Sequence, residues 1–444
     1  YVNKIISNKN IKSRLNSKIV NVDRDNKKCI VYFADGQKKE FDHRKLNAEN
    51  AFSHTVGWPL YDEQELCAAL DSLLDLSLSQ GPRVRKFEDA YKDYLKLPEG
   101  SSAMAVNSGS SANLLIFASL IDAGILKQGD EVIVPAATFA TVSSVLYQVG
   151  LVPVYIDSEM DTWNMDPKEL ESGITENTKA VMVVHNLGIP AKMDEIMKIS
   201  RDNNLIVVED CCEAHGAYYK GKQVGSIGDM AALSFFVAHN ITTGEGGMIF
   251  VKDPSLNKTV RSVREFGRSI DSDSRYKTYD EMGEYDTRYI FERLGYNVRM
   301  TDFAAAMGIV QLEKLEDLNK QRRKNASRMT SIISKHSEYL ETIKITDDMT
   351  PGYYGFPIFL KPNTKITRNT LCSRLESYGI ETRPNMGGCL PDQPGFLNQK
   401  HRVQGDLSNS RSIKENAFFI GVHSELTEDN FINFEKALDK IFLT

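Results

Sequence analysis

Between residues 100 and 255 the chain alternates short apolar runs with amphipathic stretches: SAMAVN, DEVIVPA, VPVYID, AVMVVH, LIVVED and GMIFVK. Apolar runs without polar alternation predict strands buried on both faces. Helical stretches between them predict a mostly parallel sheet covered on each side, in which ligands gather at the carboxyl ends of strands. A helical period begins earlier, in EQELCAALDSLLDLSLS and RVRKFEDAYKDYLKL, which Gly81-Pro82 separates. Residues 18–44 read as two short β runs with turns at Asp23 to Lys28 and at Asp35-Gly36, a hairpin or small ribbon. The polar, tyrosine-rich stretch 265–295 has little periodicity and is expected to be a long loop. Beyond it, Leu312, Leu315 and Leu318 mark a long helix, and YGFPIFLK-type strands then alternate with helices. The expected fold class is α/β: a β-rich appendage (1–50), a three-layer αβα large domain (51–310) with a mixed, mostly parallel sheet, and a smaller α+β domain (311–444).

Composition adds exclusions. With 444 residues, 41% hydrophobic and 26% charged, the chain can bury a full core and is neither collagen-like nor broadly disordered. A net charge of -6 gives no general electrostatic case for nucleic acid or an anionic membrane, and no apolar run approaches a membrane span. The six cysteines are too scattered for a disulfide framework or a zinc pattern, which favours a reducing compartment, the cytoplasm.

Three segments fall where strands should end. Asn107-Ser108-Gly109-Ser110-Ser111-Ala112-Asn113 precedes an apolar helix and suits either a phosphate or a serine-rich helix cap. Asp210, closing Val207-Val208-Glu209-Asp210, is either a helix cap or the partner of a protonated ring nitrogen. His239 lies between Ser234-Phe235-Phe236 and the turn Thr242-Thr243-Gly244-Glu245-Gly246-Gly247; it is a structural histidine or a general base.

The order NSGSSAN, PAATFAT, VVEDCCEAHG, SFFVAHNITTGEGG and LGYNVRMTDFAAA resembles the DegT-type nucleotide-sugar aminotransferase family, from about residue 55 to the C-terminus. That resemblance implies the fold type I architecture of pyridoxal-phosphate enzymes. It places Gly109, Ser110 and Ser234 at the cofactor phosphate, Phe139 on the pyridine ring, Asp210 at its nitrogen and Glu213 beside it. Asn297 would reach the phosphate site of a neighbouring subunit, implying a homodimer with shared sites, although a capping role fits its spacing as well. Arg268, Arg299 and Arg383 are candidates for substrate phosphates or a donor carboxylate, or for surface ion pairs.

His239 stands where the family's aminotransferases carry the lysine that binds the cofactor covalently. An imidazole cannot make that bond but can move a proton. This exchange, with Glu213, VVHNLGIP and Thr382-Arg383 followed by Gly387-Gly388, resembles the branch of sugar 3-dehydratases acting on nucleotide-linked 4-keto-6-deoxyhexoses. Pyridoxal and pyridoxamine phosphate exchanging freely, with L-glutamate as amino donor, are the implied cofactor forms and co-substrate. Part of that branch holds an iron-sulfur cluster, which needs about four thiolates. Between Cys212 and Cys372 this chain has none. No iron-sulfur cluster is therefore expected, which favours the group typified by GDP-4-keto-6-deoxymannose 3-dehydratase. Cys211 and Cys212 are expected to fill core behind Asp210. An aminotransferase scaffold that has lost its lysine and a non-catalytic cofactor-binding protein are the alternatives.

Overall fold

The computed structural model describes residues 52–57, 59–270, 274–280 and 282–442, and the backbone of 19–24, 28–33 and 38–42. The N-terminal ribbon has three antiparallel strands, β1 (Ile19–Arg24), β2 (Lys28–Phe33) and β3 (Lys38–Asp42), one more than the two apolar runs suggest. Lys38–Asp42 pairs despite its charge because its backbone, not its composition, completes the ladder with β2.

The large sheet has eight strands. They are β4 (Ser102–Val106), β5 (Glu131–Pro135), β6 (Val152–Ile156), β7 (Thr178–Val184), β8 (Ile206–Asp210), β9 (Met230–Ser234), β10 (Gly247–Val251) and an edge strand, Arg402–Val403, in the order 402–403, β6, β5, β7, β8, β9, β10, β4. All neighbours are parallel except around β10, which is antiparallel to both β9 and β4. Both faces are buried. Val132 and Val134 of β5 pack into one hydrophobic layer and Ile133 into the other, and Val207 and Val208 of β8 divide in the same way. The sequence reading missed β9, whose MAALS composition carries no β-branched residue. It also missed the edge strand, which Arg402 fixes through hydrogen bonds to Glu131 and the Gly173 carbonyl.

Helices α1 (Glu63–Leu74) and α2 (Pro82–Tyr94) pack against the 34-residue α3 (Asp302–Lys335). The buried side of α3 is unusually polar. Gln311, Asn319, Arg322 and Asn325, with Leu315, recur at helical spacing, and each polar side chain donates to a backbone carbonyl, at Leu60, His215, Tyr353 and His423 respectively. The helix is thereby pinned to both the large sheet and the C-terminal part. There, Leu340–Glu341, Phe356–Leu360, Ala417–Ile420 and Thr382–Pro384 form a four-stranded antiparallel sheet. Within 265–295 the expected loop contains a hairpin, Tyr276–Tyr279 with Gly283–Asp286, whose alternation is hidden because most of its side chains are exposed on both faces. Among the described residues, no helix is long and apolar enough to cross a membrane.

Candidate active site

The carboxyl ends of β4, β5, β7, β8 and β9 open onto one cavity of about 280 Å³. Gly109, Ser110, Phe139, Asp210, Glu213, Ser234 and His239 all line it, from segments up to 130 residues apart in sequence.

Ser108 caps the helix Gly109–Asp122, its hydroxyl accepting the Ser111 N–H at 3.1 Å. Helix N-termini leave their first N–H groups without intrahelical acceptors, and the helix dipole adds positive potential there. A Cβ on Gly109 would fall 2.6 Å from Ser234 Cβ and 2.8 Å from Cys212 Sγ. Only glycine therefore lets this turn sit against β9, which brings the helix start and the Ser234 hydroxyl to one wall. That wall suits an anion. Phe139 presents its ring to the cavity while 54% exposed, an apolar face with nothing packed over it.

Asp210 is buried, and both carboxylate oxygens accept hydrogen bonds, from Asn113 Nδ2 at 2.8 Å and the Cys212 N–H at 3.0 Å. Three residues on, burial pushes the Glu213 carboxyl up to about 8, with the charge of Asp210 adding to the rise and the Leu187 N–H, donated to Glu213 Oε2 at 2.8 Å, opposing it. At neutral pH Glu213 thus carries a proton, on the oxygen Leu187 leaves free. Leu187 sits in the left-handed region (φ 52°), a conformation costly for a side chain and held by the Tyr354 N–H on its carbonyl.

His239 lies half-buried, edge-on to Tyr354 at 5.3 Å. Its Nδ1 is 2.9 Å from the Ser234 carbonyl. A carbonyl only accepts, so Nδ1 bears the proton and Nε2 is the basic nitrogen. Burial lowers the imidazole to about 4, against the raising effect of the Ser234 carbonyl and Asp210. The ring is therefore neutral at physiological pH. No lysine is present among the described residues lining the cavity.

Four expected site residues lie away from this cavity. Asn297 Oδ1 accepts from Arg299 Nε at 3.2 Å, and its backbone bridges Glu265 rather than capping a helix. Arg268 stacks over Phe266, Tyr289 and Phe291, and Arg299 over Phe266. Arg383 pairs with Glu381. Cys211 is in the core as expected, whereas Cys212 lines the cavity and helps orient Asp210. The expectation of core filling for Cys212 is corrected by its backbone turn, which points consecutive residues to opposite sides.

Sequence reasoning gave no individual role to Asn113 or His185, although both fall within quoted motifs. Asn113 sits one helical turn past Gly109, within reach of Asp210. His185 accepts the Ala191 N–H at Nδ1 and donates from Nε2 to Glu209 at 3.1 Å. Burial opposes the charge on Glu209, but His185 and the Gly225 and Gly228 N–H groups hold it below the ordinary carboxylate range. His185, Glu209 and Cys211 converge with metal-like spacing, yet Ile227, Gly225, Gly228 and His185 already take both oxygens of Glu209. The cluster braces the strand behind Asp210.

Residues 60–438 match the model of the DegT/DnrJ/EryC1/StrS aminotransferase family. The chain is 36% identical over 381 residues to lipopolysaccharide biosynthesis protein RfbH of Salmonella typhimurium, covering 83% of this chain and 86% of that one. It is 35% identical to dTDP-4-dehydro-2,6-dideoxy-D-glucose 3-dehydratase of Saccharopolyspora spinosa, covering 83% and 82%. GDP-perosamine synthase of Caulobacter vibrioides is 32% identical, covering 82% and 91%. Among solved structures, E. coli GDP-4-keto-6-deoxy-D-mannose-3-dehydratase with bound hydrated PLP superposes with a TM-score of 0.81 at 30% identity, covering 87% of this chain and all of that one. The sheet order, the single antiparallel strand and the site at the strand ends are those of fold type I enzymes, and the chain belongs to the DegT/DnrJ/EryC1/StrS aminotransferase family.

Proposed function

We propose that the chain is a pyridoxal-phosphate-dependent sugar 3-dehydratase that removes the C3 hydroxyl of a nucleotide-linked 4-keto-6-deoxyhexose, with L-glutamate restoring the amine form of the cofactor. The observation that carries this reading is a neutral imidazole with a free Nε2 in a cavity whose described lining includes no lysine. The donor set fits the cofactor: a helix start that only glycine permits, an uncovered aromatic face, a hydrogen-bonded carboxylate and a protonated one.

When bound, the cofactor supplies an amine for the C4 ketone and an electron sink. Around it, the Gly109 and Ser110 N–H groups and the Ser234 hydroxyl would hold the phosphate, and Phe139 would cover one ring face. Asp210, braced by Asn113 and the Cys212 N–H, would accept the ring N–H, and protonated Glu213 would donate to a ring oxygen substituent. His239 Nε2 takes a proton from carbon in each half of the cycle and returns one to the departing hydroxyl. With no lysine among the described lining residues to hold the cofactor covalently, ammonia is the expected nitrogen product. The sugar loses one oxygen, glutamate gains it as 2-oxoglutarate, and the atoms balance. Asn297, Arg268 and Arg299 complete the site of a second copy in a homodimer, where they would meet the cofactor or sugar-nucleotide phosphates.

Amino transfer to C4 is the second reading, favoured by the similarity to GDP-perosamine synthase. Mass analysis of products from a panel of GDP-, dTDP-, CDP- and UDP-4-keto-6-deoxy sugars with glutamate decides between them. Loss of oxygen supports dehydration; a retained C3 hydroxyl with a new amine overturns it.

A further inference from the structure

The Ser234 carbonyl, at the end of β9, accepts two imidazoles. His239 Nδ1 lies 2.9 Å from it, and His215 Nε2 lies 2.7 Å from the same oxygen. His215 is 1% exposed, and its other nitrogen, Nδ1, is 2.7 Å from the hydroxyl of Tyr91, which is fully buried. The shared carbonyl sets the tautomers. Because the carbonyl cannot donate, both facing nitrogens carry hydrogen; His215 Nδ1 is therefore an acceptor and takes the Tyr91 O–H. The result is a fixed array: Tyr91 O–H to His215, His215 N–H to the Ser234 carbonyl, and His239 N–H to that carbonyl from the other side. The two rings lie 6.3 Å apart.

We propose that His215 is a positioning residue for His239: by sharing the Ser234 carbonyl, it weakens that oxygen's hold on the His239 Nδ1–H and so keeps His239 Nε2 free to accept a proton. Two donors on one oxygen weaken each other. When His239 gains a proton at Nε2, its Nδ1–H becomes a stronger donor and needs the carbonyl more, but His215 already draws on that oxygen and points a positive hydrogen toward it. Tyr91 strengthens the hold, since a ring that accepts at Nδ1 donates more strongly from Nε2. Burial first, and His239 next, take His215 itself down to about 3, so His215 is neutral and meets the carbonyl as a neutral donor. Around His239, Asp210, Glu213 and Glu245 lie on the sheet side, Tyr354 on the C-terminal part and Arg322 on α3; Asp210 raises the proton affinity of His239 and Arg322 lowers it. His215 is the group among them that shares its acceptor.

This inference deepens the reading of His239 as the proton-transfer base, and its test needs neither sugar nor cofactor. In the full chain carrying ring-labelled histidine, with the His239 resonance assigned by its loss in His239→Asn, the parent should show the Nδ1–H tautomer and a midpoint well below that of free imidazole. His215→Leu should move that midpoint upward by about 0.5 to 1 pH unit, the share of one hydrogen bond returned to His239. His215→Gln, which keeps an N–H for the carbonyl, should restore the parent midpoint, whereas a merely structural role would leave Gln no closer to the parent than Leu. Should His215→Leu not fold, Tyr91→Phe should give a smaller shift in the same direction. An unmoved midpoint in His215→Leu or Tyr91→Phe, or a Gln variant shifted as far as Leu, overturns the proposal. Shifted midpoints in a protein that dehydrates no sugar would keep this inference and discard the function.

Discussion

At the scale of single residues, the chemistry rests on protonation states that burial and hydrogen bonds set. His239 is unprotonated above about 4, so a base is available across the neutral range, and His239→Asn should abolish both ammonia release and sugar turnover while changing cofactor affinity less than about threefold. Ammonia at the parent rate from that variant would mean another base. Glu213 works in the opposite sense. Its carboxyl holds a proton below about 8 and loses it as the pH rises through that value, so the parent rate should fall on the alkaline side near pH 8. Glu213→Gln keeps an uncharged donor there, and the same pH series should lose that alkaline limb; an unchanged limb assigns it to another group.

These residues were legible in the sequence to different degrees. Gly109, Ser110 and Asp210 announce themselves because they follow or close an apolar run read as a strand, where a parallel sheet gathers ligands; His239 stands out by the glycine-rich turn beside it, and the role of Ser234 came only with the family resemblance, since MAALS does not read as a strand. Asn113, His185, His215 and Tyr91 do not, since their role is to hold other side chains and depends on distances across the fold that no spacing records.

At the scale of elements, the helix start at Gly109 is the tightest constraint. A methyl group there meets Ser234 Cβ and Cys212 Sγ well inside contact distance, so Gly109→Ala must shift β9 or the helix away from each other. Cofactor affinity measured by equilibrium dialysis should drop by more than tenfold, about 1.4 kcal/mol or more. Retained affinity would show that the phosphate binds elsewhere. The long helix α3 carries the complementary lesson. The helix itself was readable from Leu312, Leu315 and Leu318, but its buried polar face was not, because Gln311, Asn319 and Arg322 look like an exposed side in sequence. Arg322→Met strands the Tyr353 and Tyr354 carbonyls and should lower stability by about 1–3 kcal/mol in urea unfolding.

At the scale of the whole molecule, the α/β layering followed from the alternation of apolar runs and helices, and the family from five motifs in order. What escaped was pairing that composition does not signal, as in the charged β3, the alanine-containing β9 and the exposed 276–286 hairpin. The placement of Asn297, Arg268 and Arg299 outside the cavity, beside exposed Tyr289, Phe291 and Leu294, fits a site completed by a second copy. Mixing His239→Asn protein with Asn297→Ala protein, each inactive alone, should then recover part of the parent activity as hybrid dimers form; recovery of none would confine each site to one chain.

The most direct measurement is the mass of the sugar product. With pyridoxal phosphate, L-glutamate and a nucleotide-linked 4-keto-6-deoxyhexose, and with no added reductase, dehydration gives a product lighter by one oxygen, with ammonia and 2-oxoglutarate formed in equal amounts. A product that keeps its C3 oxygen, with or without an amine at C4, contradicts it.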